Sequence, residues 1–185
     1  VVYNPSAAAT NMTITPFSAD GTALPSKDIV LPGGGKYCGL VRDLSLPEGA
    51  AWLRIQTSRP VTGFQLFGST SGKLLAGFSN TNVLRSTGVF PKLEQQGWTG
   101  IALVNTTSDP LTLTLKARDN TGAALAAATL SLDPYAKALG MAEELFAGQD
   151  ISRATYLTFE ATGPIAGFQL NGADNGWLLD GLPCM

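Results

Sequence analysis

The sequence predicts an all-β chain of two tandem β-sandwiches, and three observations lead to that prediction. The first half of the sequence matches the second half at a nearly constant offset. Apolar and polar residues alternate with a period of two in several short segments, which is the pattern of half-buried strands. Gly, Pro, Asp and Asn residues separate these segments at roughly ten-residue intervals, as they do in β-sandwiches.

The internal repeat covers nearly the whole chain. Its clearest match aligns residues 60–68 with residues 164–172, at an offset of 104. Upstream the offset falls to 101, where Asn4 aligns with Asn105, because the loop before Trp52 differs in length by three residues. Repeats of this kind mean that one structural unit occurs twice.

The repeat also sets the predicted domain boundaries. Residues 82–100 have no counterpart in the first half, and this segment is too apolar for a free linker. We expect it to pack, with Phe90 and Trp98 covering an end of the second sandwich or the seam between the two. The predicted parts are a first sandwich repeat over residues 1–84, a packed connecting segment over residues 85–100, and a second sandwich repeat over residues 101–185.

Strand and turn signals occur in the same order in both halves. Residues 12–15 and 111–116 alternate apolar side chains with Thr or Lys. Residues 19–21 and 119–122 combine Asp, Asn and Gly, which tolerate the left-handed backbone of tight turns. These segments therefore predict hairpins.

A further strand is predicted at matching positions of the two halves. Leu53 and Ile55 are expected to point inward, and Leu157 and Phe159 are expected to do the same in the second half. Phe64 and Phe168, each preceded by Gly, are expected in the core, with the glycine at a bulge or a close backbone approach. Short helical patterns occur in two segments, residues 39–44 and 138–146.

Composition excludes several kinds of function. The chain has 185 residues, 12 Lys and Arg, 14 Asp and Glu, and no His, so its formal net charge is −2. The absence of His removes His-dependent catalytic triads and His-containing zinc sites. The small negative charge offers no electrostatic footprint for nucleic acid, and no apolar run is long enough for membrane insertion. We expect no catalytic residues, no metal and no cofactor.

Three aromatic residues are candidate ligand-binding residues. Trp52 and Tyr156 precede inward-facing leucines, so strand alternation places them on the outer face, and Trp177 lies near a turn. Exposed rings on a sandwich face can stack on sugars or anchor a protein partner. The structural alternative is burial of these rings under a loop or against the other domain.

The two cysteines, Cys38 and Cys184, lack the Cys-x-x-Cys spacing of metal and redox sites. They are candidates for one long-range disulfide. Two buried free thiols are the alternative.

Carboxylate clusters are weak candidates for chemistry. Glu143 and Glu144 are adjacent, and Asp43 matches Glu144 across the repeat, but neighbours on a helical turn do not face one another. Residues 119–122 and 174–176 resemble fragments of calcium loops without the further acidic residues that such loops need. A solvated helical turn and ordinary tight turns are the favoured interpretations.

The residues also resemble a known group of proteins. The strand Ile101 to Asn105, the Pro-x-x-Gly-Phe-x-Leu strand and the opening Val-Tyr-Asn-Pro-Ser are similar to tandem repeats of bacterial exported and surface proteins. That resemblance implies two tandem immunoglobulin-like β-sandwich domains in a secreted or cell-surface setting. Because its motifs encode fold, it carries no catalytic residues over.

The resulting functional expectation is a non-enzymatic extracellular or cell-surface structural or adhesive module. Its partners would be other copies of itself or a surface protein or polysaccharide. Because the first half lacks a counterpart of residues 82–100, we expect an uncovered edge or end there, which invites self-assembly by strand addition. The alternatives are a carbohydrate-binding module that uses the surface aromatics and a carboxylate-based hydrolase.

Overall fold

The computed structural model describes residues 1–69, 72–79, 83–176 and 178–185. These residues form strands, turns and two single helical turns, so the all-β prediction is confirmed. The chain divides into two compact units, Val1–Gln65 (unit 1) and Leu66–Met185 (unit 2). Among the described residues, no helix has the length and apolar character needed to cross a membrane.

Unit 1 contains six strands and one turn of 3₁₀ helix, and its last strand continues across the boundary between the units. The elements are β1 (Val2–Tyr3), β2 (Thr10–Phe17), β3 (Lys27–Leu31), β4 (Lys36–Tyr37), the 3₁₀ turn (Val41–Leu44), β5 (Trp52–Thr57) and β6 (Thr62–Gly68). Strand β2 lies between β3 and β5, and β1 lies between β4 and β6, with antiparallel pairing throughout.

The core of unit 1 is small. Alternate residues of β2 point inward, as the period-two pattern predicts. The buried apolar cluster consists of Val2, Met12, Ile14, Leu31 and Leu44. Leu53, Ile55 and Val61 pack against it but stay only partly buried.

In the part of unit 2 that the structure describes there are eight further strands and one helical turn. They are β7 (Leu75–Ser79), β8 (Arg85–Phe90), β9 (Gly97–Asn105), β10 (Leu111–Arg118), β11 (Ala124–Leu132), β12 (Lys137–Met141), α1 (Ala142–Leu145), β13 (Tyr156–Ala173) and β14 (Leu179–Pro183).

The long strand β13 organises unit 2. Its first half, up to Ala161, pairs with β10 on one side, and β8 pairs along the other side and reaches Ile165. From Ile165 onward its second half pairs with β9 and β14. Strand β11 extends the first group through β10, and β12 extends the second through β9. One strand thus belongs to both groups, and the core lies among their buried side chains.

Pairing in the two units follows one order. In unit 1 the central strand β2 pairs with β3 and β5, and in unit 2 the matching strand β10 pairs with β11 and β13. In the same way, β1 pairs with β4 and β6 in unit 1, and β9 pairs with β12 and β13 in unit 2. Strand β8 is an addition, because the described part of unit 1 has no strand in that place.

A buried asparagine occupies the same place in each unit. Asn4 and Asn105 each donate from the side-chain nitrogen to the carbonyl oxygens 4 and 28 residues further on, at 2.8–3.0 Å. Each side-chain oxygen accepts the N–H two residues on, at 3.0 and 2.9 Å respectively. Because both asparagines are fully buried, these bonds satisfy side-chain polar atoms that would otherwise be buried without partners.

Both predicted hairpin turns are present. Ser18 N donates to Thr22 O at 3.0 Å, and Asp119 N donates to Ala123 O at 3.1 Å. Gly21 and Gly122 have φ values of 91° and 86°, a conformation that favours glycine.

Two local expectations need correction. The helical pattern over residues 138–146 is mostly wrong, because Lys137–Met141 pairs with β9 and only one turn of helix follows. The expectation that Phe64 lies in the core is also wrong, since its side chain is 42% exposed. Phe168 is half-buried in an aromatic cluster with Phe67 and Phe78.

Candidate functional site

The outer edge of β5 is the candidate functional site. Ser58 N donates to Asn11 O at 3.1 Å, so these two opposed residues form a hydrogen-bonded pair at the end of the β2–β5 ladder. In antiparallel ladders, opposed residues alternate between pairs that hydrogen-bond to each other and pairs whose backbone groups point away from each other. The backbone N–H and C=O groups of Leu53, Ile55 and Thr57 therefore point away from β2. We call these groups the β5 edge.

The described strands give β5 one partner, β2. In unit 2, by contrast, the corresponding edge is filled by β8. Leu157 of β13 lies opposite Phe90, and Phe159 lies opposite Gly88. These two β13 residues occupy, in the β10–β13 ladder, the positions that the inward apolar residues of β5 occupy in the β2–β5 ladder.

Filling the edge changes the burial beneath it. Phe90 is fully buried, and its ring centroid lies 5.7 Å from that of Phe159. Leu157 is fully buried as well, whereas Leu53 and Ile55 are partly exposed. The added strand thus supplies both backbone hydrogen bonds and an aromatic cover for the inward side chains.

Strand β8 is itself held on both sides. Besides its pairing with β13, Val89 exchanges backbone hydrogen bonds with Met185, at 2.8 and 3.0 Å. Gly88 is required at this crossing, because a Cβ there would lie 2.5 Å from Met185 O and 2.8 Å from the Phe159 ring. Strand β8 can therefore pair with β13 in this way only with glycine opposite Phe159.

The candidate ligand-binding residue Trp52 forms part of an aromatic stack in unit 1. Its ring lies nearly parallel to that of Phe17, with centroids 4.4 Å apart, and the Arg54 guanidinium lies 5.1 Å from the Phe17 ring and 5.7 Å from the Trp52 ring. Phe17 is buried and Trp52 is half-buried. Sequence reasoning missed Phe17 as the stacking partner, although it ends the strand that pairs with β5.

The other two aromatic candidates belong to unit 2. Tyr156 begins β13, is half-buried, and lies opposite Arg118 of β10. Trp177 lies outside the described residues. Trp52 and Tyr156 are thus placed separately, each within its own unit.

Comparisons with known proteins add no identification. No protein-family model, curated protein or solved structure matches this chain. The resemblance to bacterial surface repeats accordingly stays a prediction drawn from the residues.

Cys38 belongs to unit 1 and Cys184 to unit 2, and each is unpaired within its own unit, so the disulfide between them stays a prediction. Cys38 is exposed, rather than buried as the alternative to a disulfide would have it. Cys184 is half-buried, and burial raises the pKa of its thiol, which disfavours the reactive thiolate. Its sulfur lies close to Gly167, where a Cβ would come within 2.9 Å of it.

The matched carboxylates Asp43 and Glu144 cap the two helical turns. Asp43 accepts the N–H of Leu40 at 3.0 Å, and Glu144 accepts the N–H of Met141 at 2.9 Å. Each therefore satisfies a backbone donor at the start of its turn. Among the described residues, no group of three or more Asp, Glu or Cys side chains is arranged to hold a metal ion.

The calcium-loop fragment at residues 119–122 is an ordinary turn. Asp119 accepts bonds from the Thr121 hydroxyl, from Thr121 N and from Ala123 N, at 2.6–3.1 Å. Hydrogen bonding, chiefly from the Thr121 hydroxyl, lowers the pKa of Asp119. Asp20 accepts bonds from the Ser18 hydroxyl and from Thr22 N, and these bonds lower its pKa.

The carboxylate alternative is disfavoured at a cavity of unit 2 that is lined by two glutamates. Glu94 and Glu143 both line a depression there. Lys92 lies 3.0 Å from Glu94, and its hydrogen bond lowers the pKa of that carboxyl. A glycosidase general acid needs a raised pKa, whereas the pKa of Glu94 is lowered.

Proposed function

We propose that this chain is a non-enzymatic extracellular or cell-surface structural or adhesive module that associates with other copies by strand addition. In this proposal the two units are tandem immunoglobulin-like β-sandwiches. The common pairing order and the matched asparagines Asn4 and Asn105 support it.

The observation that carries the proposal is the difference between β5 and β13. The same edge that takes β8 in unit 2 has no described strand on it in unit 1. An edge of this kind presents backbone donors and acceptors in register for another strand. Each backbone hydrogen bond formed there adds about 0.5–1.5 kcal/mol, and covering Leu53 and Ile55 adds hydrophobic stabilisation.

The carbohydrate-binding alternative has less support. One face of the Trp52 indole already stacks on Phe17, and Arg54 lies beside both rings. A sugar platform needs an aromatic face that is open to the ligand.

Sedimentation velocity across a wide range of protein concentrations tests the proposal. We expect association that strengthens with concentration and that Thr57→Pro weakens, because proline removes an N–H of the β5 edge. Thr57→Ala is the matched control, since it retains that N–H. A monomer at all concentrations, or equal association of the two variants with folding confirmed by circular dichroism, would contradict it.

A further inference from the structure

We infer that the β5 edge is a binding site for an extended peptide segment with the residue pattern of β8, carrying an aromatic side chain opposite Leu53. This inference deepens the proposed function by naming the chemistry of the strand that is added. It commits to a segment from another polypeptide, because β8 of this chain is already paired on both of its sides.

The register follows from equivalent positions in the two ladders. Ile14 of β2 lies opposite Ile55, and the corresponding pair in unit 2 contains Phe159. Because Phe159 faces Gly88 and Leu157 faces Phe90, an added antiparallel strand would place its Gly88-equivalent opposite Ile55. Its aromatic residue then falls opposite Leu53.

The surroundings of Leu53 suit an aromatic side chain. In unit 2 the Phe90 ring lies against Gly167, where a Cβ would come within 2.9 Å of the ring. Gly63 holds the corresponding position in unit 1, since it lies opposite Val2 of β1 as Gly167 lies opposite Leu103 of β9. A glycine at this point has no side chain of its own to obstruct the ring, and the partly buried Leu53 and Ile55 supply apolar surface.

The two edges differ in the residue that they accept at the position of Gly88. In unit 2 the Phe159 ring and Met185 O leave no room for a Cβ at position 88. The β5 edge has the smaller Ile55 in place of Phe159. A peptide with Ala at that position should therefore fit β5 and be unable to replace β8 on β13.

This difference gives a selective probe. The probe is a synthetic peptide of residues 83–93 with Gly88→Ala, added to the full chain at up to about 1 mM, a concentration that detects even weak binding. The control peptide carries Phe90→Ser as well. Amide hydrogen exchange of the full chain, resolved by residue, reports where each peptide binds.

We expect the probe to slow exchange at Leu53, Ile55 and Thr57 by at least about tenfold and to leave Leu157 and Phe159 unchanged. The Phe90→Ser control should slow it far less. Unchanged exchange at the β5 edge, or equal effects of both peptides, would overturn the inference.

The two proposals fail in different ways. If the chain associates but the peptide leaves the β5 edge unprotected, the inference is wrong and self-association stands. If the chain stays monomeric and the peptide protects the β5 edge, strand binding stands and self-association is wrong.

Discussion

Unit 1 and unit 2 pair their strands in the same order but bury very different cores. Five apolar residues form the buried cluster described in unit 1, and seventeen form the one in unit 2. Two of the additional buried residues in unit 2 are aromatic side chains with no aromatic counterpart in unit 1. Phe90 enters with β8, and Phe146 follows the helical turn at the place where unit 1 has the exposed Ser45. Equivalent backbone pairing therefore does not ensure an equivalent core.

The comparison also shows what an added strand does for a sheet edge. β8 gives β13 backbone partners and a buried ring, and the inward β13 residues Leu157 and Phe159 are buried. β5 has neither contribution from a described strand, and its inward residues stay partly exposed. The following predictions test this difference.

Phe90→Ala should have the largest effect. The ring is fully buried, so its removal leaves a cavity and should cost about 3–5 kcal/mol of unfolding free energy. Native-state hydrogen exchange should show the loss in unit 2, with unit 1 largely unaffected. Phe64→Ala, which removes a ring that is 42% exposed, is the control and should cost less than half as much. Equal losses would mean that β8 is not part of the core.

Asn4→Ala and Asn105→Ala should each destabilise their own unit by about 2–3 kcal/mol. Each substitution leaves several backbone carbonyls and one N–H without their hydrogen-bond partner. Urea unfolding combined with hydrogen exchange measures both losses. Asn120→Ala, at an exposed turn, should change stability by less than about 0.5 kcal/mol. A loss confined to one unit would show that the two asparagines are not equivalent.

Gly167→Ala should cost about 1–3 kcal/mol. Its Cβ would come within 2.9 Å of both the Phe90 ring and the Cys184 sulfur, and overpacking of this kind forces side chains to shift. Gly163→Ala is the matched control on the same strand, because its nearest neighbour, Leu111, lies at an ordinary 3.9 Å. Thermal unfolding compares the two variants. A smaller effect at Gly167 would contradict the close packing of β8 on β13.

The smallest expected effect concerns pH and should be alike in the two units. Hydrogen bonds lower the pKa of Asp20 and of Asp119, so each turn is stabilised above the unfolded-state pKa of about 3.9. That stabilisation is lost as pH falls through the folded-state values. Carboxyl titration by NMR should show both shifts, and Thr121→Val should raise the pKa of Asp119 alone. An unchanged pKa in that variant would rule out the Thr121 hydroxyl as the main cause.

Much of the local structure was predictable from particular residues. The alternation in β2 and β10 predicts strands with one buried face, because side chains point to opposite sides with period two. Asp and Gly at residues 119–122 predict a hairpin turn for a similarly local reason. The helical pattern over residues 138–146 failed because Lys137–Met141 pairs with β9, and pairing with a distant strand overrides a weak local preference.

The candidate site was predictable only in outline. The repeat indicated that the first half lacks a counterpart of residues 82–100, and hence an uncovered edge or end. It did not indicate that residues 85–90 form a strand, nor that this strand runs along β13. The stack of Trp52 on Phe17 was also missed, because the two rings meet through pairing of β2 with β5.

The sequence by itself determined the strand alternation, the turns and the position of the asparagine in each half. These features depend on residues that are near one another along the chain, so local patterns carry them. The tertiary structure alone decided that β8 covers β13, that Phe90 fills the core of unit 2, and that the β5 edge has no described strand upon it. Those outcomes depend on which distant strands meet, and hydrogen bonding between strands is set by register and packing that no local pattern encodes.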